Sequence, residues 1–202
     1  MLDRLLLGQT ASDITFIGVE QSTTSTSSLV VNKPTGTAQG DLMVAILFTT
    51  NGASWTQPSG WTEVADTGNI AVAYKVAGAS EGSSYTFTAG KTGTQAGIIV
   101  TYRNAVYDTV GTVIASTSSP LSIPAITLSA NASTVLAFVG ATSTSTWSTP
   151  TGFSSIYSTT TTVGMALFGK DNVSSGSTGT VSTTRTGQGI GQAAVLVGIK
   201  PL

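Results

Sequence analysis

The sequence predicts an all-β protein: an antiparallel β-sandwich, jelly-roll-like, made of two pseudo-repeated halves. Three observations predict it. Short apolar segments follow one another with Gly, Pro, Ser or Asn between them, and no amphipathic helix of useful length interrupts them. The segment at 41–49 has Leu42, Val44, Ile46 and Phe48 alternating with Met43, Ala45 and Leu47, so both of its faces are apolar and need cover. The pattern of the first half then returns in the second.

Composition bounds the rest. A chain of 202 residues is long enough for one well-filled core, so a single sandwich domain over 13–202 is expected. Charged residues are 8% of the chain against a usual value of about 25%, and 62 residues are Ser or Thr, which predicts a neutral, hydroxyl-covered surface. With 40% hydrophobic residues and a net charge of −1, the chain has the opposite of a disordered composition. Its eight basic residues form no stripe that would follow a phosphate backbone, so no nucleic acid is expected as a partner. The absence of cysteine removes disulfides and thiolate metal sites. No apolar run reaches the length of a membrane span, and Leu5–Leu6–Leu7 is too short for the core of a signal peptide.

In chain order, residues 1–12 carry Leu2, Leu5, Leu6 and Leu7 on a segment too short to hold a helix alone. They read as a docking arm, for the domain's own core or for a neighbouring subunit. Strands are expected at 14–20, 28–32, 41–49, 61–65, 69–76, 84–88 and 97–103, with a connector through 110–115. SWTQPSGW at 54–61 then returns as TWSTPTGF at 146–153, pairing Trp55 with Trp147, Pro58 with Pro150, Gly60 with Gly152 and Trp61 with Phe153 at an offset of 92. Val44–Ala45–Ile46 matches Leu136–Ala137–Phe138 at the same offset; with two residues inserted, Tyr74 is aligned with Phe168 and Phe87 with Val181. The half-repeats are placed at about 28–105 and 120–200, each expected to supply strands to both sheets, with an immunoglobulin-like sandwich as the alternative topology.

Reactive chemistry is sparse. Without histidine the chain lacks the usual general base, the commonest metal ligand and the serine triad, and no enzyme activity is expected. Glu63, Asp66, Glu81 and Asp171 are the carboxylates that a glycosidase pair would need, but none lies in a recognisable aromatic cleft motif. Gly90–Lys91–Thr92 resembles the tail of a phosphate-binding loop, yet Tyr85 stands where that motif has glycine, so a hairpin turn is expected. Asp41 is expected to accept loop amides, and Asp171–Asn172 lacks the acidic spacing of a calcium loop, so neither metal nor cofactor is predicted. Trp61 and Phe153, which exchange one large apolar side chain for another, are expected to plug the core. Trp55 and Trp147 sit among Ser and Thr, where each either covers the sandwich end or contacts a glycan or protein partner; Tyr157 and Tyr107 are weaker candidates of the same kind.

KPTGTAQGDLMVAIL, PSGWTEV, AYKVAGASEGSSYTFT and IIVTYRN together resemble a recurrent β-sandwich domain of tail-fibre, appendage and other surface proteins of tailed bacteriophages. The likeness covers about residues 28–199, and it is in the order and spacing of Lys-Pro-x-Gly, Gly-Asp, Pro-Ser-Gly-Trp and Ser-Tyr-x-Phe from Lys33 to Phe87. It implies a non-enzymatic structural protein on the virion surface, made in the host cytoplasm: a head decoration or cement protein, a spike subunit or a tail appendage. Other virion proteins and a host surface glycan are the partners it implies. Low surface charge and edges poor in lysine add the expectation of self-association, as a homotrimer. A carbohydrate-binding module or adhesin is the alternative reading.

Overall fold

The computed structural model describes residues 13–187 and 191–202; the predicted docking leucines Leu2, Leu5, Leu6 and Leu7 lie outside them. The described chain is built from antiparallel β-strands, with no helix among them. The first half holds β1 (Thr15–Thr24), β2 (Ser28–Asn32), β3 (Leu42–Thr49), β4 (Trp55–Thr56), β5 (Thr62–Asp66), β6 (Ile70–Val76), β7 (Ser84–Ala89) and β8 (Gln95–Arg103). The second holds β9 (Ala105–Val110), β10 (Ile114–Ser116), β11 (Leu121–Ile123), β12 (Thr127–Leu128), β13 (Ser133–Ala141), β14 (Thr146–Trp147), β15 (Ser154–Thr159) and β16 (Gly164–Val173). It closes with β17 (Gly176–Ser177), β18 (Val181–Thr183), β19 (Arg185–Thr186) and β20 (Gln192–Pro201).

Two large sheets face each other. The first runs β1-β8-β3-β6-β5; the second runs β20-β13-β16-β15, with β9 and β10 both pairing with β20 at its other edge. Alternation in the central strands sorts their side chains to two sides. Leu42, Val44, Ile46 and Phe48 of β3 and Ile98 and Val100 of β8 meet Leu136, Phe138, Met165, Leu167, Val195 and Val197 in a central core between the sheets. The other faces are covered as well. Met43, Ala45 and Leu47 pack under a small sheet, β2-β7-β4, while Val135, Ala137 and Val139 pack under short ladders that include β11-β18 and β14-β19.

The molecule is therefore four layers thick. Each half builds its own large sheet and its own outer cover, where the sequence reading had each half supplying strands to both sheets. The physical reason is already in β3 and β13: both are buried at every position, and a strand that is apolar on both faces needs a layer on each.

The chain passes from one large sheet to the other at Asn104, which adopts φ 57°, a conformation that Asn tolerates better than most residues. The residues that follow, expected as a connector, form β9 and β10 along the β20 edge. Registers refine the alignment of the halves. Met43 pairs with Lys75 and Val135 with Lys170, while Val44 pairs with Tyr74 and Leu136 with Gly169. The insertion between the halves is thus three residues at this point, so Gly169 is the positional counterpart of Tyr74. Phe168, which the sequence alignment had set against Tyr74, instead joins the outer core of the second half.

Candidate functional site

Of the two readings of Trp55, cover of the sandwich holds and glycan contact does not. Trp55 is only 5% exposed and lies in the outer core of the first half, so it has no free face on which to stack a sugar. Its hydroxyl-rich loop folds back as β4, pairing Trp55 with Ala89, and the Trp55 amide donates to Asp66 Oδ2 at 2.8 Å. Trp147 is half-buried against the outer core of the second half, pairs with Arg185, and its Nε1 donates to the Gly164 carbonyl at 3.1 Å. Tyr157 is half-buried at the rim of the central core and Tyr107 lies across from it at the other rim, stacked on Tyr74 with centroids 4.6 Å apart and planes 5° from parallel. Trp61 and Phe153 pack on the outer cores as the sequence predicts; Trp61 meets Tyr85 and Phe87 edge-on at 5.1 and 5.4 Å.

The candidate carboxylates are tied into the scaffold. Glu63 Oε2 accepts from Gln57 Nε2 at 2.9 Å, and Asp66 accepts the amides of Trp55 and Gly68. Glu81 Oε2 accepts from Lys75 Nζ at 2.8 Å and from the Tyr85 hydroxyl at 2.6 Å, while Oε1 takes the Gly78 amide. Burial opposes its ionisation, but these three donors outweigh burial and hold the carboxyl at about 2. Asp41, at the head of β3, accepts the Ala38 amide as predicted, and also a bidentate Arg103 guanidinium at 2.9 and 2.8 Å, a partner 62 residues away that spacing did not show. Gly90–Lys91–Thr92 joins β7 to β8, but these strands lie in different sheets and do not pair, so the segment is a turn between layers where a hairpin was expected. No group of three acidic, His or Cys side chains stands together among the described residues.

A different place brings an exposed ring together with polar groups open to solvent. Between β1 and β8 of the first large sheet and β15 and β16 of the second, a cleft of about 270 Å³ is lined by Phe16, Tyr102, Ser154, Ser155, Gly169 and Asp171. Phe16 is 47% exposed, although its ring is held edge-on to Tyr102 at 5.6 Å. Tyr102 is 2% exposed, yet its hydroxyl has no hydrogen-bond partner and is not among the sealed polar atoms, so it opens on the cleft that it lines. Burial, and after it the charge of Asp171, push this phenol's pKa up and keep it a donor. Asp171 Oδ1 accepts from Thr134 Oγ1 at 2.7 Å, which leaves Oδ2 free.

The registers place different residues at corresponding points of the two large sheets around the cleft. Leu42 pairs with Tyr102 and Thr134 with Ile199, so the partners of those two residues at the sheet edges, Phe16 and Tyr107, occupy matching places. Tyr107 finds Tyr74 opposite and stacks on it. Phe16 finds Gly169, against which Ile156 packs so closely that a Cβ there would lie 2.8 Å from Ile156 Cδ1; no aromatic ring stacks on Phe16 at this place, and the cleft remains beside it. Sequence reasoning picked out Asp171 of this group and missed Phe16 and Tyr102; the missing signal is the three-residue insertion that sets Gly169 against Tyr74. No protein family, curated protein or solved structure matches this chain.

Proposed function

We propose that this chain is a non-enzymatic structural subunit on the surface of a phage or phage-like particle, associating with itself as a trimer and with other virion proteins. The observation that carries the assembly is the edge of the first large sheet. From Gly18 to Thr24, β1 pairs regularly with β8 on one side and with no described strand on the other; this stretch carries Glu20 as its one charge and neither Lys nor Pro. Such an edge is a template for a strand of another chain. The bonding of Glu63, Asp66, Glu81 and Asp171 into turns and neighbouring strands supports a scaffold role over a catalytic pair. The particle surface is supported by the resemblance between Lys33 and Phe87. The matching strand orders of the two large sheets support the further reading that the sandwich is jelly-roll-like and that its two halves are pseudo-repeats.

Two measurements test this. Gold-labelled antibody against the purified chain should decorate virions in electron micrographs, and bare particles beside labelled free protein would contradict the location. Light scattering of the full chain and of a chain lacking residues 1–12 should give a trimer for the first and a smaller species for the second. A monomer in both would contradict assembly.

A further inference from the structure

We propose that the cleft between β1 and β15, lined by Phe16, Tyr102 and Asp171, binds a neutral pyranose ring. A sugar presents a flat patch of C–H groups with hydroxyls around its rim, and the cleft offers a counterpart to each. The exposed ring of Phe16 supplies the apolar face. The free Oδ2 of Asp171 accepts a sugar hydroxyl, the buried Tyr102 hydroxyl donates to a sugar oxygen, and the exposed Ser154 and Ser155 hydroxyls do either. A volume of about 270 Å³ holds one ring and not an extended chain.

The charge of the cleft selects within the class. Asp171 is its charged lining residue, so a uronic acid or other acidic sugar brings a second carboxylate against it and is disfavoured. The matched position on the opposite side of the sandwich shows what fills such a space when it is structural: there Tyr74 and Tyr107 stack and close it. Here Phe16 meets Gly169 and Ile156 with no ring stacked on it, and the Tyr102 hydroxyl and Asp171 Oδ2 face the cleft without a protein partner. The site is independent of the assembly edge. The register of β1 shifts between Phe16 and Gly18, and Gln21 lies five residues on, roughly 17 Å along the strand.

The test uses the full chain and, in a second arm, Gln21→Lys/Thr23→Lys, in which the β1 edge is charged. Methyl glucopyranoside, methyl mannopyranoside, methyl galactopyranoside and glucuronic acid are titrated while backbone amide shifts are followed by NMR. At least one methyl glycoside should shift the amides of Phe16, Tyr102, Ser155 and Asp171 with a Kd on the order of 1 mM, as expected for one ring. Glucuronic acid should bind about tenfold more weakly, and Phe16→Ala and Asp171→Asn should each lose about tenfold, with Trp147→Phe unchanged. The edge-charged arm should bind sugar like the wild type, which separates this proposal from the assembly reading. Four outcomes would overturn it: no shift at the cleft with any methyl glycoside, retention of binding in Phe16→Ala, loss in Trp147→Phe alone, or a Phe16→Ala chain that changes its molar mass without changing its sugar binding. The last would assign the cleft to a subunit contact.

Discussion

Glu81 shows how a charge-poor protein uses the charges it has. Its carboxylate joins the β6 lysine Lys75, the β7 tyrosine Tyr85 and the Gly78 amide into one half-buried network beneath Trp61. Because its folded pKa is lowered from 4.5 to about 2, the stability it contributes is present above about 4.5 and is lost as the pH falls toward 2. Glu81→Gln should therefore lower stability at pH 7 by about 1–3 kcal/mol, since it leaves Lys75 without its counter-ion. The gap between the two proteins should close as pH falls from 4.5 to 2, as read by urea denaturation. A gap that does not vary over this range would mean that Glu81 contributes no charge-dependent stability. Neither this network nor Asp41–Arg103 was legible in the sequence beyond the loop amides, because both join residues on different strands whose register periodicity alone does not set.

The element that sequence reading recovers best is the Pro-x-Gly turn ahead of each core aromatic. Trp61 N donates to the Pro58 carbonyl at 3.2 Å and Phe153 N to the Pro150 carbonyl at 3.0 Å, and Gly60 and Gly152 adopt φ 83° and 79°. A left-handed residue between Pro and an aromatic is a local requirement, so two glycines 92 residues apart announce it without knowledge of the fold. Gly60→Ala and Gly152→Ala should each cost about 1–2 kcal/mol in chemical denaturation. The cost lies in the backbone, since at Gly60 a new Cβ meets the flexible end of Lys75 at 3.3 Å. No loss in either variant would show that these turns do not need the left-handed conformation. The strand at 41–49 was equally legible, being apolar on both faces, and Leu136–Ala137–Phe138 of β13 by its match to Val44–Ala45–Ile46. β9 and β10 were not: their half-buried residues alternate weakly, and they become strands by pairing with β20.

At the scale of the whole molecule, three stacked apolar layers make the halves interdependent. The central core takes side chains from both large sheets, with Phe48 and Phe138 only 1% and 0% exposed, so neither half keeps its inner face covered without the other. Phe138→Ala should cost about 3–5 kcal/mol. It should also leave unfolding as one step: transitions read by Trp55 and Trp61 fluorescence in a Trp147→Phe background and by Trp147 fluorescence in a Trp55→Phe/Trp61→Phe background should share a midpoint. Separate midpoints would mean that the halves fold alone. What the sequence left open here was which strands go to which layer, since alternation tells that a strand has two buried faces but not which partner covers each.

The outer rim of this four-layered body is where the proposed assembly acts, and the molar mass of the edge-charged variant tests it most directly. Gln21 and Thr23 are exposed on β1, so two lysines there leave the cores untouched and set like charges along the edge that a neighbour would join. By light scattering, the unaltered chain should have about three times its 20.3 kDa subunit mass, while Gln21→Lys/Thr23→Lys, with an unchanged circular dichroism spectrum, should have the subunit mass alone. A variant that remains as large as the unaltered chain, or an unaltered chain that is already a monomer, would contradict assembly through the β1 edge.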